Sequence, residues 1–483
     1  MISTIITTLA TGSCTAKALQ ATDCLSRYTP VAHRLAIKKL STRAISRSVI
    51  TLAMLSLSKL ALAQTLVIDI NVVGLNENQS TAATQLNQAC DSLNGDTSVQ
   101  ATELLEVCDI VNSLNATDVE DSARLQQITD AVAPEEAFAL NDSLSVVSDY
   151  QTTNVQTRLN ALRNFMFNSD GEQQSQQSSL NSSTFGKARV GGGASADLVP
   201  PFGLFLSGHV SGGDFDGGQL QQDADLDSSS LTFGGDYRFN EKVVAGLGVG
   251  FVQDSVNFNS VTGGSESDGF NLTAFATWYE TDQGYLDVVL DFGRSDYTLE
   301  RSITVFEDNP LIATSSPTAL ATSFTASGGR NWKPYGFDLG GYFRLSYTGA
   351  TIDAYSESLK VQQPGFAALF RVNDQSVTSA KMVVGLNLSK AISFNNAVLL
   401  PLLRIEYVRE NDRKKDAIEA TLISTGTTAR YQGEDRVEGY STMGLGASAL
   451  FRRGRSIYAY YETHLEHEVI SQDWLKTGIR LEF

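Results

Sequence analysis

The chain has 483 residues and a formal net charge of −18. It is long enough for more than one domain, and too acidic for nucleic acid, which binds through clustered Lys and Arg. No run of about 18 apolar residues occurs, which excludes an ordinary helical membrane protein but not a barrel, since only alternate strand residues meet lipid.

The charge is uneven. Residues 1–63 hold eight Lys/Arg and one acidic residue, so the remainder carries 28 basic against 53 acidic groups, a net of −25. Arg34, Lys38, Lys39, Arg43 and Arg47 precede an apolar stretch at 49–57, and Ala61-Leu62-Ala63 forms a small-x-small cleavage site. Residues 1–63 are therefore read as leader and signal peptide, with Gln64 as the expected mature N-terminus. Residues 1–40 are either an extended leader or the result of a start placed too far upstream. Cys14 and Cys24 leave with it. Cys90 and Cys108 remain, an even pair that reads as a disulfide in an exported chain, with two buried free thiols as the alternative.

Residues 64–167 read as a helical N-terminal segment, after one short strand at 65–73. Leu86, Cys90 and Leu93 stand at i, i+4, i+7, and Leu104, Cys108 and Val111 repeat that spacing across the turn Asn94-Gly95-Asp96. This predicts a helical hairpin with one cysteine on the inner face of each arm. A third helix is expected over about 118–132. Pro134-Glu135-Glu136 suits the first turn of a longer one, over about 134–166. Leu140, Leu144, Val147, Val155, Leu159 and Leu162 give that helix an incomplete apolar stripe. Gln151, Thr152, Thr153, Asn154, Gln156 and Thr157 crowd its middle with uncharged polar groups. Such a helix suits a wet polar tunnel, a place against a sheet, or an ordinary exposed surface. Residues 168–199, rich in Ser, Gln and Gly without an apolar period, read as a disordered polar linker.

From residue 200 to 483 the sequence predicts about twelve strands, at 202–212, 227–239, 243–256, 267–281, 284–303, 319–332, 335–350, 376–391, 397–410, 437–452, 455–465 and 472–483. In the ninth, Leu399, Pro401, Leu403, Ile405 and Tyr407 oppose Arg404, Glu406 and Glu410. In the last, Leu475, Thr477, Ile479, Leu481 and Phe483 oppose Trp474, Lys476, Gly478, Arg480 and Glu482. Arg404, Glu406, Lys476, Arg480 and Glu482 are thus expected to face a polar lumen, as ion pairs lining a plugged interior or as a selectivity filter. Short turns alternate with long polar loops near 213–226, 257–266, 304–318, 351–375 and 411–436, the asymmetry of tight periplasmic turns and longer external loops. Tyr237, Phe239, Trp278, Tyr279, Tyr285, Tyr458 and Trp474 stand near strand ends, where interfacial girdle residues belong. The fold class is mainly β: an antiparallel transmembrane barrel of about twelve strands preceded by helices.

Pro201-Phe202-Gly203-Leu204-Phe205, Leu231–Phe239, Val244–Phe251, Leu403–Val408, Gly444–Ser448 and Lys476–Phe483, in this order, resemble the barrel translocator domain of bacterial autotransporters, the type V secretion class. The resemblance covers roughly residues 200–483. It implies an outer-membrane location in a Gram-negative bacterium, with membrane lipid, the export translocon and the barrel-assembly machinery as partners. It also implies a lumen able to hold a helix trailing an exported passenger, and 156–163 looks similar to such a pre-barrel helix. The terminal Phe483, with Leu481 and Ile479, resembles the assembly signal of these barrels. The N-terminal segment is short for a passenger.

No catalytic constellation and no cofactor are expected. His464 and His467 among Glu462, Glu466 and Glu468 fit no zinc spacing. Asp223, Asp225 and Asp227 lack the Gly and Glu of a calcium loop, where Ser228 and Gly234 stand instead. Gly-x-Ser-x-Gly is absent, and Asp91-Ser92-Leu93 has no base beside it. Translocation or surface display of the N-terminal segment is the expected function. The alternatives are an adhesin acting on a host or surface ligand through loops 304–318, 351–375 and 411–436, or a small plugged pore.

Overall fold

The computed structural model describes residues 75–160, except 94–98, 115–117, 142 and 145–151. It also describes 201–483, except 219, 222, 260–262, 281–283, 304–310, 362–367, 411–416, 434–438, 453 and 466–469. The expected leader, the strand at 65–73, the cleavage residues Ala61, Ala63 and Gln64, and the linker at 168–199 lie outside the described residues.

Twelve strands close an antiparallel barrel: β1 (Phe202–Phe215), β2 (Ala224–Arg238), β3 (Val243–Phe258), β4 (Gly264–Tyr279), β5 (Gly284–Ile303), β6 (Thr318–Trp332), β7 (Asp338–Ile352), β8 (Gln375–Ser389), β9 (Ala397–Glu410), β10 (Gly439–Phe451), β11 (Arg455–Leu465) and β12 (Ile470–Glu482). Each pairs with its sequence neighbours. β12 closes on β1, with Gly203 opposite Glu482 and Phe215 opposite Ile470. The predicted strands fall within a few residues of these. Closure leaves no free edge, the condition for a sheet to sit in lipid.

Alternation sorts the side chains. On β9 the buried Arg404, Glu406, Val408 and Glu410 face in, while Ile405 and Tyr407 face out. Leu231, Phe233, Leu247, Phe251, Leu272, Leu286, Leu290, Val384 and Leu386 stand exposed on the outer wall, an apolar band far larger than a soluble monomer shows. Tyr237, Phe239 and Trp278 are exposed at the inner ends of their strands, as a girdle requires. Tyr279, Tyr285, Tyr458 and Trp474 correct the girdle reading, because their strand parity turns them into the lumen. Tyr279 and Tyr285 are buried, and Trp474 packs edge-on to His464 with ring centroids 4.6 Å apart.

Short turns gather at one end, including the tip Pro334–Gly336, where Tyr335 takes a left-handed φ of 53° beside Gly336 at 76°. The longer connections gather at the other end, taken as external. There the structure departs from the expectation of polar loops. Residues 355–356, 370–372, 418–422 and 428–431 pair as a small antiparallel sheet. Its Phe370, Val372, Ile418, Ala420, Leu422 and Tyr431 are fully buried.

What buries them is the N-terminal segment. Helices α1 (Glu77–Ser92), α2 (Val99–Ser113) and α3 (Val119–Val132) share one core with that sheet and with the outer strand residues Tyr297, Leu299, Ile303 and Ile352. Asn76 caps α1 in a reciprocal box with Gln79, and Asp118 caps α3. The expected long helix is described as helical residues at 137–141 and 143–144, and again at 152–160. Glu135 and Glu136 stand in the turn that leads into its helical part, their carbonyls accepting from the Phe138 and Ala139 N–H groups at 3.0 and 3.1 Å, and both are buried.

Candidate functional site

The lumen is filled by residues 152–160. Val155 and Leu159, expected on an apolar stripe, are fully buried against Phe205, Val244, Phe275, Tyr279, Tyr285 and Val289. The polar face of this helix meets polar wall. The Asn154 amide donates to Ser230 Oγ at 3.0 Å and to Thr232 Oγ1 at 3.1 Å, and Thr152 Oγ1 lies 3.4 Å from Ser323 Oγ. Gln156 Oε1 accepts from Arg344 at 2.6 Å. Arg158 donates to Asp236 at 2.5 Å and lies over the Phe205 ring, 5.6 Å from its centroid. A helix crowded with Thr, Asn and Gln is costly in an apolar core but satisfied in such a tunnel.

Its direction follows from its partners. Leu140 and Leu144 pack with Tyr297, Leu299 and Ile303 at the outer end of β5. Asn154 meets Ser230 and Thr232, and Arg158 meets Asp236, two residues from the inner end of β2. The chain therefore descends from the outer mouth toward the inner rim, where β1 begins.

The charged residues expected in the lumen form its wall. Glu406 accepts from Arg344 at 2.8 Å, lies 3.9 Å from Arg404 and also accepts from the Tyr342 hydroxyl. The Tyr342 ring fills the space that a Cβ at Gly385 would need. Arg404 stacks on Tyr460 at 5.0 Å, and Lys476 donates to Glu462 at 3.1 Å. Arg480 bonds Glu482 and, at 3.2 Å, Asp236, so Asp236 takes two guanidinium groups, one of them from the plug. The assembly-signal candidates lie on the opposite face: Ile479, Leu481 and Phe483 are exposed to the lipid side, and the Phe483 N–H donates to Phe202 O at 2.9 Å.

At the outer mouth, α1 to α3 form a cap. Cys90 and Cys108 are bonded, joining α1 to α2. α1 docks on the external sheet through buried amides. Gln85 donates to Ala420 O and Thr427 O and accepts from the Tyr431 hydroxyl at 2.6 Å, while Asn78 bonds Leu220 O and both backbone groups of Gln432. Beneath α3, Arg301 of β5 is 1% exposed. It donates to both oxygens of Glu357, at 2.9 and 2.7 Å, to Ala131 O of α3 at 3.1 Å and to Ala368 O at 2.5 Å. One guanidinium thus ties barrel wall, external loop and cap. Nothing in the spacing around Arg301 marks it in the sequence. The external sheet left a faint signal, the alternation of Ile418, Ala420 and Leu422.

His464 faces Trp474 and Tyr440, whereas His467 lies outside the described residues. Asp223 accepts from the Gly217 N–H and Asp225 from Asn259. Among the described residues, no group of three or more His, Cys, Asp or Glu is arranged to hold a metal ion.

The family model of the autotransporter beta-domain matches residues 204–462. No curated protein matches the chain. Among solved structures, the chain is similar to the translocator domain of the autotransporter NalP from Neisseria meningitidis, at 21% identity over 59% of this chain and 89% of that one, with a TM-score of 0.47. The beta domain of the Bordetella autotransporter BrkA aligns at 17% identity over 59% and 100% of the two chains, with a TM-score of 0.44. The transport unit of AIDA-I from Escherichia coli aligns at 9% identity over 63% and 94%, with a TM-score of 0.38. These likenesses are remote, and membership rests on the family match, which spans more than half of the chain. The protein belongs to the autotransporter beta-domain family, the outer-membrane translocator barrels of Gram-negative bacteria.

Proposed function

We propose that this barrel carries its own N-terminal segment to the outer face and retains it there as a folded cap, a display function without catalysis. The observation that carries the reading is the path of the chain: cap at the end with long connections, residues 152–160 in the lumen, β1 starting at the inner rim. Export through the inner membrane and insertion by the assembly machinery are part of the same proposal. The external sheet supports retention over a free adhesive surface, because its buried face and its amide partners already serve α1.

Protease treatment of intact cells tests this, with an epitope tag placed just before Leu75. Removal of the tag without disruption of the membrane is expected. A tag cut only after the outer membrane is opened would place the segment in the periplasm and end the reading.

A further inference from the structure

Glu135 and Glu136 sit between the descending chain and the outer rim of the barrel, 7% and 4% exposed. With Ala139 they line a cavity of about 20 Å³, whose other walls are Phe215 of β1, Ala224 and Leu226 of β2, Val256 and Phe258 of β3, and Gln221. That is room for about one water. Among the described residues, Glu135 Oε1 and Glu136 Oε2 have no hydrogen-bond partner. Two carboxylates in an apolar pocket are costly as charges and cheap as neutral acids.

The charged and titratable neighbours come from every side. Asp130 of α3 faces both groups, Arg301 of β5, Glu357 of the external loop and Tyr355 of the external sheet face Glu136, and Tyr431 of the same sheet faces Glu135. Arg301, however, is committed to Glu357 by two hydrogen bonds. Burial, then the charges of Asp130 and Glu136, push Glu135 up to about 9. Burial pushes Glu136 up to about 7 against the pull of Arg301.

We propose that Glu135 and Glu136 are a proton-controlled latch, which holds the cap in the outer mouth while they are neutral and loosens it when they lose their protons to alkaline medium. The proposal rests on the docked-cap reading above. The sign follows from linkage. The docked state binds more protons than the undocked state between the ordinary carboxyl range and about 7 to 9, so docking weakens as pH rises through that window. Each carboxyl contributes up to about tenfold per pH unit.

Hydrogen exchange of the full chain in lipid nanodiscs, corrected for the chemical exchange rate, reads this directly. Protection of α1 and α3 is expected to fall at least ~100-fold between about pH 5.5 and 8.5, while β1–β12 stay protected. The Glu135→Gln/Glu136→Gln pair mimics the neutral acids and is expected to hold its acid-pH protection throughout. Should the pair fail to fold, Glu135→Gln alone is expected to keep only the shallower fall of the remaining carboxyl. Flat wild-type protection, or variants that lose protection with the wild-type midpoint, overturns the latch. Cap helices unprotected even at about pH 5.5 overturn the docked cap itself, a distinct result.

Discussion

Replacing Arg301 by Gln is the most discriminating perturbation of the cap. The guanidinium is fully buried and donates to Glu357, Ala131 O and Ala368 O at once. Its loss leaves the Glu357 carboxylate buried with the Phe370 N–H, at 2.8 Å, as its remaining strong donor among the described residues. Removing one partner of a buried pair costs about 3–5 kcal/mol, because an uncompensated charge stays behind. At 1.36 kcal/mol per tenfold, undocking should become on the order of 200- to 5000-fold more frequent. Arg301→Met with Glu357→Gln removes both charges and should recover much of that loss, since the stranded carboxylate dominates the cost. Hydrogen exchange of α3 and the external sheet is the assay, with heat-modifiable migration as the check that the barrel is intact. A single variant with wild-type protection, or a double variant no better than the single, would refute the assignment of Arg301 as the tie between wall, loop and cap.

Three further outcomes follow from the same geometry. Reducing Cys90–Cys108 should cost the cap about 3 kcal/mol through its 18-residue separation, seen as faster exchange in α2 with the barrel unchanged; equal exchange in both redox states speaks against it. Arg158→Ala should loosen the plug by about 1.5–3 kcal/mol, the weight of a charged hydrogen bond, and no more, because Arg480 still holds Asp236. Planar-bilayer recordings should then show more frequent openings, and unchanged recordings would count against a helix anchored at the inner rim. Deleting Phe483 should lower the membrane-inserted, heat-modifiable fraction, since it removes an exposed lipid-side ring and the bond to Phe202 O; an undiminished fraction would dismiss the assembly role.

The barrel was legible because two solvents act on it. Lipid outside and a filled polar lumen inside force strict alternation, so the parity of Arg404 and Glu406 against Ile405 and Tyr407 assigns both faces from sequence. Aromatic residues at strand ends were less legible. Tyr285 and Tyr458 suit either an interface or a lumen, and parity, not residue type, decides. The external sheet was nearly illegible because its strands are two to five residues long, so that only Ile418, Ala420 and Leu422 show a brief alternation in polar surroundings. The burial of Glu135 and Glu136 was illegible for a different reason. Pro-Glu-Glu is good helix-start chemistry, and only the tertiary position of the rim of β1–β3 makes these residues interior.

The two ends of the N-terminal segment are held by different physics, and the difference fits retention after passage. Within the lumen, the polar contacts of residues 152–157 are neutral hydrogen bonds to Ser and Thr side chains, each worth about 1 kcal/mol net, and one charged bond from Arg344, while Val155 and Leu159 add two buried apolar contacts to a wall that can offer similar partners to a sliding chain. Among the described residues of the segment, Arg158, at the inner end, is the one that forms an ion pair with the wall. At the outer mouth, Ala82, Leu86, Ala89, Leu104, Val107, Leu125 and Ile128 are buried with the external sheet in one core, and leucine-sized side chains gain about 1.5–3 kcal/mol each on burial. That core and the Arg301 tie form only once the helices and loops 353–374 and 411–438 are on the same side. A chain held weakly along its path and strongly at its outer end stays where it emerges, which is what display of a short, undetached segment requires.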